Sequence, residues 1–174
     1  MEIDNLFGLG HLVKLQLDNN IITKIQGLES LTQLKWLDLS FNMIEKMEGL
    51  SELQMLEDLT LFSNRITVIE GLDGLENLNV LSVGSNEIQS LEASVKYLHK
   101  LKNNLEVLKM IDNAFKESGE KDYKGKIIAY LNKLQYLDYE LIETKEREKA
   151  TSDYKTELEG TVLENEEHKG DNTE

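Results

Sequence analysis

Side chains able to act as acids, bases, nucleophiles or metal ligands are sparse in this chain, and none falls into a reactive pattern. The three histidines, His11, His99 and His168, have no nucleophile or ligand partner at a meaningful spacing. Glu164 and His168 lie within an acidic run that reads as a solvated tail. Gly8-Leu9-Gly10 lacks the lysine that a phosphate-binding loop needs. With no cysteine there is neither a thiol nucleophile nor a disulfide framework. The sequence therefore predicts no catalytic, cofactor-binding or metal-binding residue. The chemistry that does recur at a strict spacing is hydrogen bonding by side-chain amides, since Asn20, Asn42, Asn64 and Asn86 lie 22 residues apart.

Those asparagines sit in an aliphatic frame that repeats with them. Each follows a pair of alternating aliphatics: Leu15/Leu17, Leu37/Leu39, Leu59/Leu61 and Leu81/Val83. Each precedes an isoleucine two residues on (Ile22, Ile44, Ile66, Ile88), and Ile25, Met47, Ile69 and Leu91 follow in register. Side chains alternate along a strand, so each Leu-x-Leu pair buries one face of a short strand. The asparagine falls where the chain leaves that strand. Its amide can bond backbone groups of its own turn and of the neighbouring one, which would otherwise be buried without partners. Gly27, Gly49 and Gly71 open the return segment, which is too short for a long helix and predicts 3-10 or brief helical turns. Stacked, such units predict an α/β leucine-rich-repeat solenoid with a parallel concave sheet. Asn20, Asn42, Asn64, Asn86 and the later Asn113 are expected to be structural.

The register then breaks. Asn113 comes 27 residues after Asn86, so this unit carries five extra residues. Ser90 can cap a helix there, in which Leu91, Val95, Leu98 and Leu101 recur at helical spacing. Residues about 121–133 predict a further helix, and Leu131, Leu134, Leu137 and Tyr139 return to the repeat phase as a helical C-terminal cap. The repeat domain is placed at residues 1–142, with the cap at about 114–142. Ile3, Leu6 and Leu9 match the second half of a repeat, so the chain begins inside one. An apolar N-terminal edge is expected, left by truncation or covered by another subunit. Residues 143–174 form an acidic tail, expected to be an exposed helix at first and disordered at the end.

A formal charge of −14 disfavours nucleic acid and anionic membrane as partners, because both require a basic face. No apolar run approaches the roughly 18 residues of a membrane span, and the first residues lack the features of a secretory signal. A soluble, intracellular protein is expected. Its informative positions are those between the core residues on the concave face. In three rows these hold Lys14, Trp36, Asp58, Val80, Val107 and Tyr136; then Gln16, Asp38, Thr60, Ser82, Lys109 and Asp138; then Asp18, Ser40, Phe62, Gly84 and Ile111. Trp36, Phe62, Val80, Val107 and Ile111 predict an exposed apolar stripe on a charged protein, the usual mark of an interface, with mutual packing of these side chains within the sheet face as the alternative. The expected protein-binding residues are these five with Lys14, Asp38, Asp58, Thr60 and Lys109. Phe41, beside Asn42 at the strand edge, is expected to be structural.

The 22-residue unit resembles a subclass of leucine-rich repeats that includes the nuclear regulator of protein phosphatase 1, the A′ protein of the U2 spliceosomal particle and several axonemal proteins. The run from Lys14 to Ile25, Trp36 to Asn42, Leu56 to Ile66 and the ending Tyr136-Leu-Asp-Tyr139 are most similar to the leucine-rich-repeat subunits of the nexin–dynein regulatory complex. The skeleton is common to the subclass, so the weight rests on residues such as Trp36, Glu57, Asp58 and Phe62. That resemblance implies a non-enzymatic scaffold in the axoneme of motile cilia and flagella, a cytoskeletal location within the cytoplasm. Its partners would be coiled-coil subunits of the complex and dynein components, in a hetero-oligomeric assembly. The resemblance to the other members implies two alternatives, a regulatory subunit for a protein phosphatase and a spliceosomal scaffold.

Overall fold

A computed structural model describes residues 2–101, 104–115 and 122–160. Five three-residue strands, β1 (Lys14–Gln16), β2 (Trp36–Asp38), β3 (Asp58–Thr60), β4 (Val80–Ser82) and β5 (Val107–Lys109), pair in parallel in chain order. Their register aligns Leu15, Leu37, Leu59, Leu81 and Leu108, one leucine from each repeat. From Leu37 onward this column is fully buried, as are the second leucines Leu39 and Leu61 and the isoleucines after the asparagines. A single aliphatic core therefore runs along the stack, and each repeat buries its share only against its neighbours.

The return segments turn by short i to i+3 bonds. Leu31 N–H donates to Leu28 and Leu34 N–H to Leu31, and the same pairs recur at Leu53/Leu56 and Leu75/Leu78. Gly49 shows why a glycine opens them. It is left-handed (φ 68°), and a Cβ there would lie 2.5 Å from the Ile25 carbonyl oxygen of the preceding repeat. In the enlarged unit the lengthened return segment forms α1 (Leu91–Lys100). Ser90 accepts from Ala93 N–H as its N-cap, and Leu91, Val95 and Leu98 are buried.

The cap departs from the expected repeat phase. It comprises α2 (Tyr123–Tyr130), β6 (Tyr136–Leu137) and β7 (Glu140–Leu141). Leu131, Leu134 and Leu137 are buried, but Tyr139 is 67% exposed. Asp138 and Tyr139 are both left-handed (φ 48° and 73°), and the chain reverses so that β7 pairs antiparallel with β6. The cause is Asp138. In earlier repeats the amide at the end of a strand donates to a carbonyl of the next strand, as Leu39 does to Thr60 and Val83 to Lys109. Past β5, the Met110 and Ile111 amides instead donate to Asp138 Oδ1 at 2.8 and 3.0 Å. The Tyr123 hydroxyl donates to Oδ2. A side chain ends the backbone ladder.

Beyond the cap, α3 (Thr144–Asp153) starts with a capping box between Glu143 and Glu146. It is docked, where the sequence suggested an exposed helix. Ala150 is buried, and the Arg147 guanidinium donates to the carbonyls of Ile128, Leu131 and Leu134, at and just past the end of α2. The last carbonyls of a helix lack intrahelical donors, so an arginine there helps to complete the end, alongside the Leu134 N–H that also donates to Leu131. Tyr154 and Leu158, four and eight residues after Ala150, also pack against the core, a thin apolar line in a highly charged stretch. The expected disorder at the end of the tail lies outside the described residues, as do Glu164 and His168.

At the other end the apolar edge is present. Ile3 is buried, but Leu6, Leu12, Leu15 and Leu17 are only half-buried, and Phe7 is 80% exposed. Among the described residues, no helix is long and apolar enough to cross a membrane.

Candidate protein-binding surface

The pleat presents three outward positions per repeat on the concave face, because the alternate leucines are committed to the core. The structure brings the expected residues together there, with a change of emphasis. Trp36, Phe62, Val80, Val107 and Ile111 are each half-buried rather than exposed. Ser40, Ser82 and Gly84 are buried. Side chains of adjacent strands cover one another, so the stripe is a packed surface. Its more exposed aromatics are Phe41, Tyr136 and Tyr139.

Cations of the chain already use these rings. Lys14 Nζ lies 3.8 Å from the centroid of the Trp36 ring, and Lys109 Nζ 4.4 Å from that of Tyr139. Lys35 pairs with Glu57 at 2.7 Å on the neighbouring row. Carboxylates dominate what remains. Asp18 just past the end of β1, Asp38 at the end of β2 and Asp58 at the start of β3 run diagonally across three repeats. Among the described residues none of the three is in a salt bridge. Asp38 accepts from the Ser40 amide and hydroxyl. Burial pushes the Asp58 carboxyl above the usual aspartate range, and nearby Asp38 adds to the effect; the Thr60 hydroxyl and Lys109 oppose it. Asp18, bonded by the Gln16 and Asn19 side chains, is held below that range. Beside Trp36 and Asp58 an open groove of about 660 Å³ continues past Glu57 and Asn79 to Glu106.

The other expected sites resolve as scaffold. The Asn42 Oδ1 accepts from Ile22 N–H at 2.9 Å, and its Nδ2 donates to the carbonyls of Leu17, Leu39 and Ser40. Asn64, Asn86 and Asn113 repeat this pattern. Asn20 donates only to Leu17 and Asp18 of its own turn. His99 Nδ1 meets the Tyr130 carbonyl at 2.7 Å, joining α1 to the end of α2. Among the described residues no three of histidine, aspartate or glutamate converge as a metal-binding group.

Two aromatics stand out on this face. Leu137-x-Tyr139 mimics Leu-x-Leu and puts Tyr139 in the repeat phase, yet its ring is exposed. Phe41, expected to be structural, is 51% exposed and meets Phe62 edge-to-face at 5.7 Å. The signal for Phe41 was legible in principle: the residue before each other ladder asparagine is Asn19, Ser63, Ser85 or Asp112, all short and polar.

Comparison with known proteins returns a family model described as leucine-rich repeat over residues 13–166. None of the curated proteins matches significantly. Among solved structures, a chain of the Drosophila melanogaster SNF/U2A′ complex is 28% identical, with 87% of each chain covered and a TM-score of 0.72. The Leptospira interrogans leucine-rich-repeat protein LIC12759 is 27% identical, covering 81% of this chain and 35% of that one, with a TM-score of 0.56. An internalin from Listeria monocytogenes shares the fold at 22% identity and a TM-score of 0.53, over 79% of this chain and 51% of its own.

Proposed function

Because the chain belongs to the leucine-rich-repeat family, we propose that it is a non-enzymatic scaffold whose concave sheet face receives a protein partner. The observation that carries this reading is the Asp18–Asp38–Asp58 diagonal between Trp36 and Phe62. The core does not need these residues, yet they hold half-buried rings and carboxylates without salt bridges at the centre of the face. Such groups gain most when a partner brings cations and removes water from both sides.

As the assembly, we propose the regulatory link of the axoneme, with coiled-coil and dynein components as neighbours. Support comes from the residues outside the skeleton, Trp36, Glu57, Asp58 and Phe62, which are the ones that resemble that group. A second reading, a ribonucleoprotein scaffold acting through a protein partner, is favoured by the likeness to the SNF/U2A′ chain. Crosslinking mass spectrometry on the tagged full chain in ciliated cells separates them. Crosslinks from the concave face to axonemal coiled coils support the first, and crosslinks to splicing proteins select the second. Retained partners after Trp36→Ala and Asp38→Lys together would reject the concave face for either assembly.

A further inference from the structure

Phe41 stands in a backbone conformation that its side chain disfavours. The residue before each ladder asparagine is left-handed, with φ of 56° at Asn19, 54° at Phe41, 56° at Ser63, 52° at Ser85 and 58° at Asp112. Short polar side chains tolerate that region; a bulky ring there is an outlier. Phe41 gains little by burial, because half of it faces solvent. A strained, exposed ring calls for a reason beyond packing.

Its neighbours give that ring a platform. Phe62, one strand over, takes the edge of Phe41 with the rings 65° apart. Phe62 in turn lies over Gly84, where a Cβ would come within 3.1 Å of two of its ring carbons. The third strand along has thus given up its side chain to the ring beside it. Two rings from adjacent repeats form a ledge at the asparagine edge of the concave face. Trp36 stands at the opposite edge, and the aspartate diagonal crosses between them.

We propose that the Phe41–Phe62 ledge anchors an apolar side chain of a basic amphipathic helix from a protein partner. This rests on the reading of the concave face as a docking surface and names what docks there. Charge selects the occupant. Strands are about 4.8 Å apart and outward residues about 6.7 Å apart along each, so Asp18, Asp38 and Asp58 follow one another at roughly 8 Å. Cationic side chains one to two helical turns apart, about 5.4 to 10.8 Å, can follow that line. The carboxylates have no salt-bridge partner among the described residues, and the whole chain carries a charge of −14.

Trp36 is the only tryptophan, so it reports directly on occupation of this face. The full chain is titrated with a synthetic helical peptide bearing arginines on one face and leucines beside them, and with a twin in which glutamates replace the arginines. The arginine peptide is expected to shift Trp36 emission saturably, and the glutamate twin to leave it unchanged. Phe41→Asn should weaken the arginine peptide at least tenfold while the thermal midpoint stays level or rises, because asparagine suits the left-handed position. A lowered midpoint would mean that Phe41 serves packing, and the ledge proposal falls. Undiminished affinity in Phe41→Asn also overturns the ledge, while the concave face survives if Asp38→Asn still weakens binding. If Asp38→Asn and Asp58→Asn are also without effect, docking on this face is itself wrong. No response to the arginine peptide, or an equal response to its twin, rejects a basic helix as occupant.

Discussion

Each buried ladder asparagine holds two repeats together through both ends of one amide. At Asn42 the oxygen takes the Ile22 amide of the preceding repeat, and the nitrogen divides between the Leu17 carbonyl of that repeat and two carbonyls of its own turn. Asn42→Leu would leave these groups buried and unpaired, at about 1–3 kcal/mol for each group that finds no other partner. Two or three such losses approach the 5–15 kcal/mol total stability typical of a domain. Asn20 lacks the bonds to a preceding repeat and is half-exposed, so water can replace what it gives. Urea denaturation of Asn42→Leu and Asn20→Leu should therefore show a large loss in the first and about 1 kcal/mol or less in the second. Equal losses would contradict a cross-repeat role for the ladder.

The elements that fill one period were legible because period, strand face and asparagine all restate the same constraint. The helix α1 was legible from Ser90 and the spacing of Leu91, Val95 and Leu98. The cap was harder, since Leu137-x-Tyr139 copies the local pattern of a strand while Asp138 decides its fate through tertiary bonds to Met110 and Ile111. On the concave face sequence located the rows but not their burial, which depends on how side chains of adjacent strands cover one another. Docking of α3 escaped for a related reason: besides Arg147 it rests on Ala150, Tyr154 and Leu158, a thin apolar line in a highly charged stretch. Arg147→Ala should release α3 without unfolding the sheet. Hydrogen exchange should speed up along α3 and the last turn of α2, while the amides of β2 to β4 keep their protection. Lys126, 7% exposed and 3.1 Å from Glu157, should retain part of the contact. Unchanged exchange in α3 would show that Arg147 does not hold it.

Across the whole molecule, stability should vary with position along the stack, since each repeat rests on its neighbours. The interior repeats are covered on both sides. The column of leucines is fully buried from Leu37 onward but only half-buried at Leu15, and Leu6 and Leu12 lie at the same margin. Native-state hydrogen exchange should consequently rank β1 as the first strand to open and β3 or β4 as the last. Equal protection from β1 to β4 would mean that the stack opens as one unit.

The two edges of the sheet also differ in what they can join. Among the described residues no strand pairs with the outer side of β1, and Val13 and Phe7 are exposed nearby. The far edge ends in β7, two residues long and antiparallel, with Glu140 paired to Lys124. Short, charged edges resist strand addition. In the language of polymerisation the hairpin is a chain terminator: strand-by-strand extension of the sheet in that direction stops at β7, which offers no long, uncharged edge to the next unit.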